Sequence, residues 1–531
     1  MKKNIYKIIM VVLPLLAFTS CFGDLDRFPL NDTTSEIVYS TFDGTKSALA
    51  KIYGAYTLSG QTGPAGNPDV AGLDEGSNAD FLRCWFNHQE MPTDEAHCIW
   101  GDPGIPELNN ISFTADGKFT IGLYDKCILQ VMYANEFIRN TEGRNYGEQQ
   151  AEVNYFRGEA RFLRAFAYWV LMDQFGNPPF VTEKDNLGIL AQQIERPALF
   201  AYIESELLDL INNNGLKAAR SNEYGRADIT AANALLARVY LNAEVYTGTA
   251  RWTEAVTYSK KVIDAGYTLK DNYEHLFLAD NDKNNPEVIL PITYDGKNTR
   301  GYGGVTFLIN AGSSSDYQTK YADKIIHYGI FSNANWNGYR FRNNFIDKFE
   351  DADKRFLFVG ENRALGDDPS KATNGLQTYK YRNITSASTV GNPVYGSDQE
   401  FADNDFPLFR LAEQYLILAE AVVRGGSGAT KSDAAGYINL LRKRAFGDDN
   451  HKISDDYTAQ DILDERAREL YWECFRRTDL IRYNQFTTQN YIWEWKGGTQ
   501  AGRAVSNHYN LYPIPSQDLL ANPNLKQNDN Y

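Results

Sequence analysis

TAANALLARVYLNAEVY (230–246) and RWTEAVTYSKKVIDAGY (251–267), joined through a turn at Gly248, are the stretches that decide the fold. Apolar residues recur at helical spacing in both, and Ala237 and Ala255 are small enough to let two helices approach closely. The pair has the Tyr/Ala placement of a tetratricopeptide hairpin, a unit of about 34–38 residues. A lone hairpin cannot bury its apolar faces, so partners are expected. The spacing predicts three more pairs: 157–175 with 197–212, 407–424 with 433–446, and 40–58 with 121–140. In 407–424, Leu408, Leu411, Tyr415, Leu418 and Val422 form one stripe, with Asp405 as cap, Pro407 in the first turn and Gly425–Gly426 at the end. Residues 461–482 are predicted as one further helix, capped by Asp461.

The predicted class is therefore mainly α: a tetratricopeptide-like helical hairpin array whose loop-rich insertions form a ligand face. The insertions 59–118, 280–345 and 361–405 are rich in Gly, Pro, Asn and Asp yet aromatic, with short β-like pieces such as VILPITY (288–294). Loops of this kind usually carry function. No linker divides residues 21–531, which read as one domain.

The chain has 531 residues, 43% of them hydrophobic, and a net charge of −15 from 53 Lys+Arg and 68 Asp+Glu. A collagen, a wholly disordered chain and a multi-span membrane protein are excluded by this composition. Nucleic acid is a poor partner for so acidic a chain, because phosphate neutralisation needs clustered cations. Aromatics are abundant at 13%.

Residues 1–20 read as a signal peptide: Lys2, Lys3 and Lys7, then an apolar run from Ile8 to Phe18 too short to span a bilayer. Thr19 and Ser20 lead into Cys21, the pattern of a bacterial lipoprotein signal, with Phe18 where Leu is usual. Cys21 is then the expected lipidation site, carrying palmitate. Cys84, Cys98, Cys127 and Cys474 are too sparse to hold the fold by disulfides, and a Cys84–Cys98 bridge is left open.

Catalytic signatures are missing. There is no G-x-S-x-G, H-E-x-x-H, Walker loop or G-x-G-x-x-G, and GYGG (301–304) lacks the spacing and context of a nucleotide loop. Cys84, His88, His97 and Cys98 match no standard zinc spacing. A pair of glycosidase carboxylates cannot be discriminated among so many acids. Asp280, Asp282 and Asn284 place oxygen ligands at alternate positions, as at the opening of a calcium loop, without its sixth-position Gly or twelfth-position Glu.

Four segments in order resemble the signatures of the SusD/RagB family: RGEARFLRAFAYWVLMDQFGNPPF (157–180), FPLFRLAEQYLILAEA (406–421), ILDERARELYWECFRRTDLIRY (462–483) and YPIPSQDLLANPNLKQNDNY (512–531). NPDVAGLDEG (67–76), MPTDEAHCIW (91–100), TRGYGGVTFLI (299–309) and WKGGTQAG (495–502), in variable regions, resemble its starch-binding members. The resemblance implies an outer-membrane lipoprotein facing the cell exterior that binds a polysaccharide, an α-glucan first of all. It would pass the glycan to a SusC-like TonB-dependent transporter without hydrolysing it. It also implies the site: Trp100, Tyr302 and Trp336 as aromatic platforms, Asp74 and Arg83 as polar partners of sugar hydroxyls, and Asp282 and Asn284 as ligands of a structural calcium. Asp102 stands near a polar contact that does not carry over, because the chain is one residue shorter after Trp100. A flat ring suits the apolar face of a sugar, and a guanidinium or carboxylate suits its hydroxyl rim.

The three rings are expected to converge into one solvent-facing cradle. Trp169, Trp252, Trp472 and Tyr415 are expected in the core, and Arg157, Arg161, Arg466, Arg468 and Glu469 in structural salt bridges. The alternatives are a fructan or β-glucan binder, a glycoside hydrolase and a purely structural helical scaffold.

Overall fold

Asp228 opens the deciding hairpin: its carboxylate accepts the Thr230 and Ala231 amides and caps the helix Ile229–Leu241. Ala231, Ala234 and Ala237 on this helix are fully buried, and Trp252–Ile263 packs directly against it. This is a computed structural model, and it describes residues 34–64, 67–331 and 335–531. The signal peptide 1–20 and Cys21 lie outside the described residues.

All four predicted pairs pack. Gln150–Phe175 lies on Arg196–Asn212, Leu411–Val423 on Lys431–Phe446, and Phe42–Thr57 on Lys118–Thr141. The pairs also join each other in chain order. Lys118–Thr141 contacts Gln150–Phe175, Arg196–Asn212 contacts Ile229–Leu241, and Trp252–Ile263 contacts Leu411–Val423. The result is one mainly α array, interrupted between 263 and 411 by a long excursion of loops and short strands. Close approach has a local signature at Gly158, where a Cβ would lie 1.8 Å from the Gly215 carbonyl oxygen.

Two boundaries differ from the sequence expectation. The 407–424 helix starts at Leu411, because Phe406–Arg410 is a fully buried strand antiparallel to Val288–Ile292. Asp405 does not cap it; its carboxylate accepts the Tyr294 amide at 2.8 Å and the Tyr224 hydroxyl at 2.5 Å. The 461–482 helix is two helices, Ala459–Leu470 and Arg476–Arg482. Trp472 (φ 65°) and Cys474 (φ 67°) are left-handed between them. Buried carboxylates hold this break: Glu95 accepts the Trp472 amide at 2.7 Å and Glu90 the Phe475 amide at 3.1 Å. The first helix is capped by Thr458, with Asp461 closing the capping box three residues in.

The core matches expectation at Trp169, Trp472 and Tyr415, all buried, while Trp252 is half-buried with Arg424 over its ring. Four of the five family-helix charges are in structural ion pairs. Arg161 pairs with Glu206 at 2.9 Å, Arg466 with Asp479 at 2.7 Å, Arg468 with Glu465 at 2.6 Å and Glu469 with Arg410 at 2.7 Å. Arg157 has no ion pair among the described residues. Arg410 also binds Glu287 at 2.9 Å and Glu473 at 2.7 Å, all buried. Burial alone would raise the Glu469 carboxyl, but the charges of Arg444, Arg410 and Arg355 outweigh it and lower its pKa to about 2. Cys84, Cys98, Cys127 and Cys474 are free and buried, so Cys84 and Cys98 form no bridge. No helix among the described residues is long and apolar enough to cross a membrane.

Candidate functional site

The helix Gly304–Ala311 is the frame of the site, about 12 Å long at 1.5 Å per residue. Its start is pinned by buried Asp80, whose Oδ1 accepts the Gly304 amide at 3.0 Å and the Arg83 amide at 2.9 Å. Burial raises the Asp80 carboxyl above its ordinary range. A Cβ at Gly303 would lie 2.1 Å from Asp80 Cγ, and Gly304 has φ +57°. GYGG (301–304) is thus a close-approach turn, not a phosphate loop.

At the far end of the frame, main-chain bonds lay 336–338 along the helix. The Trp336 amide donates to Asn310 O at 2.8 Å and the Gly338 amide to Ala311 O at 3.0 Å. The Ile99 amide donates in turn to Gly338 O at 2.9 Å, which brings Trp100 alongside, next to the pairing of Ala96–Cys98 with Tyr339–Phe341. Trp100 Nε1 donates to Trp336 O at 3.2 Å, and the two rings lie 6.4 Å apart at 57°. Tyr339 meets Trp100 edge-on at 5.7 Å, and Phe307 backs Trp336 at 6.3 Å. Both indoles are half-buried. A Cβ at 338 would stand 2.3 Å from Trp100 Cε2 and Cζ2, so the indole needs glycine beneath it.

Tyr302 stands at the opposite end, half-buried, with its ring 5.2 Å from Phe401. Its hydroxyl donates to Glu400 Oε1 at 2.5 Å, and that bond, with burial, pushes its pKa up to about 12. The structure therefore brings Trp100 and Trp336 together and puts Tyr302 on the same frame without ring contact to either. Between them, Arg83 lies 4.6 Å over the Phe307 ring and donates through Nη1 to Gly76 O at 2.6 Å. Arg83 is 7% exposed, and its Nε has no partner among the described residues. Asp74 is exposed on the turn leading to Asp80; Lys118 donates to its Oδ2 at 2.9 Å and holds its carboxyl below the usual range. Asp102 is exposed two residues after Trp100. The arrangement offers half-open aromatic faces flanked by charged hydrogen-bonding groups, which suits a neutral ring bearing hydroxyls.

Sequence reasoning did not single out Lys118, Phe307 or Glu400. Only the excess of aromatic and acidic residues in the insertions hinted at them. It also assigned nothing to a largely apolar cavity of about 700 Å³ lined by Val131, Met132, Tyr133, Tyr168, Leu187 and Leu190, which includes none of the five expected residues.

Asp282 and Asn284 lie on an exposed turn, with Asn284 left-handed at φ 49°. Lys270 Nζ donates to Asn284 O at 2.7 Å, and the Asp280 carboxylate is taken by Ser386, from N at 2.8 Å and Oγ at 2.6 Å. Three side-chain oxygens remain on Asp282 and Asn284, against the six to eight a calcium ion takes. Among the described residues no three His, Cys, Asp or Glu side chains are grouped to hold a metal.

Known proteins agree with this architecture. Residues 253–531 match the model of the SusD family, and 103–241 match the model described as "Starch-binding associating with outer membrane". The "Starch-binding protein SusD" of Bacteroides thetaiotaomicron is 35% identical, over 100% of this chain and 99% of that one. Among solved structures, "Surface glycan-binding protein A" from Bacteroides fluxus superposes with TM-score 0.68 at 22% identity, covering 93% of this chain and 100% of that one. The same-named protein from Bacteroides thetaiotaomicron "in complex with laminarihexaose" gives TM-score 0.66 at 19% identity, over 92% and 99% of the two chains. With family models covering both halves of the helical array and a relative aligned end to end, the chain belongs to the SusD family.

Proposed function

We propose that this protein is a lipoprotein of the outer-membrane surface, anchored through Cys21, that captures an α-glucan such as starch or maltooligosaccharides. It hands the chain to a SusC-like TonB-dependent transporter without cleaving it. The observation that carries the reading is the Trp100–Trp336 pair: two half-open indoles locked by main-chain bonds and by Gly338, so their order is already set before a ligand arrives. The starch-binding name of the 35% identical relative favours glucose in α-linkage. Each stacked ring contributes about 1 kcal/mol beyond buried area. Single-site affinity is then in the millimolar to micromolar range, raised when many copies meet one polymer.

Affinity electrophoresis through starch tests this. The parent protein is retarded, while Trp100→Ala and Trp336→Ala migrate freely with unchanged melting temperature. Retention of both variants would refute the site. The second reading, a β-glucan such as laminarin, is favoured by the laminarihexaose-bound neighbour, and a laminarin gel run in parallel separates the two. A reducing-end assay on purified protein and glucan distinguishes a hydrolase, and palmitate labelling lost in Cys21→Ala tests the anchor. A structural calcium on Asp282 and Asn284, completed by carbonyls and water, belongs to the same reading. Its role would be to stiffen the 280–286 turn, and a melting temperature unmoved by chelator and by added calcium would remove it.

A further inference from the structure

Tyr302 is held by a carboxylate that is itself fixed from several sides. The Glu400 and Phe401 amides donate to Asp398 Oδ1 at 2.7 and 3.2 Å. Asn383 Nδ2 donates to Asp398 O at 2.6 Å, and the Ala402 amide donates to Thr306 Oγ1 at 3.0 Å, tying the segment to the Gly304–Ala311 frame. Gly296 is packed so closely that a Cβ there would lie 2.5 Å from Phe401 O. The Glu400 side chain therefore leaves a rigid turn. One oxygen receives the Tyr302 hydroxyl at 2.5 Å; the other receives no hydrogen bond from any described residue and is not buried. A half-buried carboxylate with a free oxygen next to an aromatic face has the chemistry of a sugar-hydroxyl acceptor.

We propose that Glu400 is both the positioning residue that sets the Tyr302 ring and a direct acceptor for a glycan hydroxyl, and that its charge selects neutral over anionic glycans. The inference rests on the glycan-binding reading of the same site. Its sign follows from the contact itself: Glu400 is in no ion pair among the described residues, Lys118 is taken by Asp74, and Arg300 stacks on the Phe401 ring at 4.8 Å, so a negative charge on the ligand at the free Glu400 oxygen meets that carboxylate directly.

Binding of maltoheptaose, and of starch against carboxymethyl-starch, is measured for the parent, Glu400→Ala, Glu400→Gln, Tyr302→Phe, Tyr302→Phe/Glu400→Ala and Trp100→Ala. Glu400→Ala is expected to weaken maltoheptaose binding by about tenfold, the scale of a hydrogen bond to a charged group, with no change in melting temperature. Glu400→Gln keeps an acceptor for Tyr302 and loses less. The same variant raises the affinity for carboxymethyl-starch relative to starch, a shift that a purely structural role would not produce. In the Tyr302→Phe background, Glu400→Ala still weakens binding, because the direct contact survives loss of the hydroxyl. If Glu400→Ala loses less than threefold while Trp100→Ala no longer binds, the proposal falls and the site stands. If Trp100→Ala also binds like the parent, the site itself falls. An unchanged starch preference in Glu400→Gln overturns the charge selection.

Discussion

The Arg410 cluster and the Trp100–Trp336 pair sit in one molecule and are built on opposite terms. Around Arg410, three buried carboxylates converge on one buried guanidinium, and Arg444 and Arg355 share Glu469 with it. Every group there answers a charge inside the protein. Around Trp100, main-chain bonds set the geometry, while part of each indole stays exposed, and the Asp74 carboxylate, though held by Lys118, stays at the surface. The first region leaves nothing to bind with, and the second spends little on stability. Signatures such as ILDERARELYWECFRRTDLIRY therefore record the scaffold, and the insertions carry the proposed recognition surface.

Substitutions should separate the two regions. Arg410→Ala, which strands Glu287, Glu469 and Glu473 without their common partner, should cost about 3–5 kcal/mol in denaturant unfolding, while folded molecules still bind glycan. Gly338→Ala should do the reverse. The added methyl displaces the Trp100 indole, so binding should fall by about tenfold or more at a stability cost of about 1 kcal/mol. If Gly338→Ala bound normally, the preset geometry of the pair would not matter.

The smallest expected effect is on pH dependence. Burial, outweighing the hydrogen bonds from Tyr224 and the Tyr294 amide, raises the Asp405 carboxyl from 3.8 to about 7. A folded pKa above the unfolded one gives a stabilising contribution that is full below 3.8 and is lost as pH rises through about 7. Glu469, lowered to about 2, contributes oppositely: its share is present above 4.5 and is lost as pH falls toward 2. Asp405→Asn should therefore flatten the decline between mildly acidic and neutral pH by about 1 kcal/mol per pH unit and leave the acid limb unchanged, as followed by denaturant midpoints. A profile identical to the parent would show that Asp405 ionises normally.

The helical pairs were legible because amphipathic spacing and small residues act within a few turns of chain. The strand at Phe406–Arg410 was not, because its apolar run reads equally as helix until Val288–Ile292 arrives from over a hundred residues away. The break at Trp472–Cys474 was invisible for the same reason. Its left-handed residues are held by Glu95 and Glu90, and no local signal favours a positive φ at tryptophan. Trp100, Tyr302 and Trp336 were named from resemblance rather than from spacing, and Glu400 was one acid among many.

Periodicity, composition and four ordered signatures determined by themselves that this chain is a helical hairpin array with aromatic insertions, since those signals are local and repeat. Which rings share a surface, which carboxylate grips Tyr302 and which guanidinium is buried were decided only by tertiary structure. The partners come from distant segments, and nothing short of folding sets their separation.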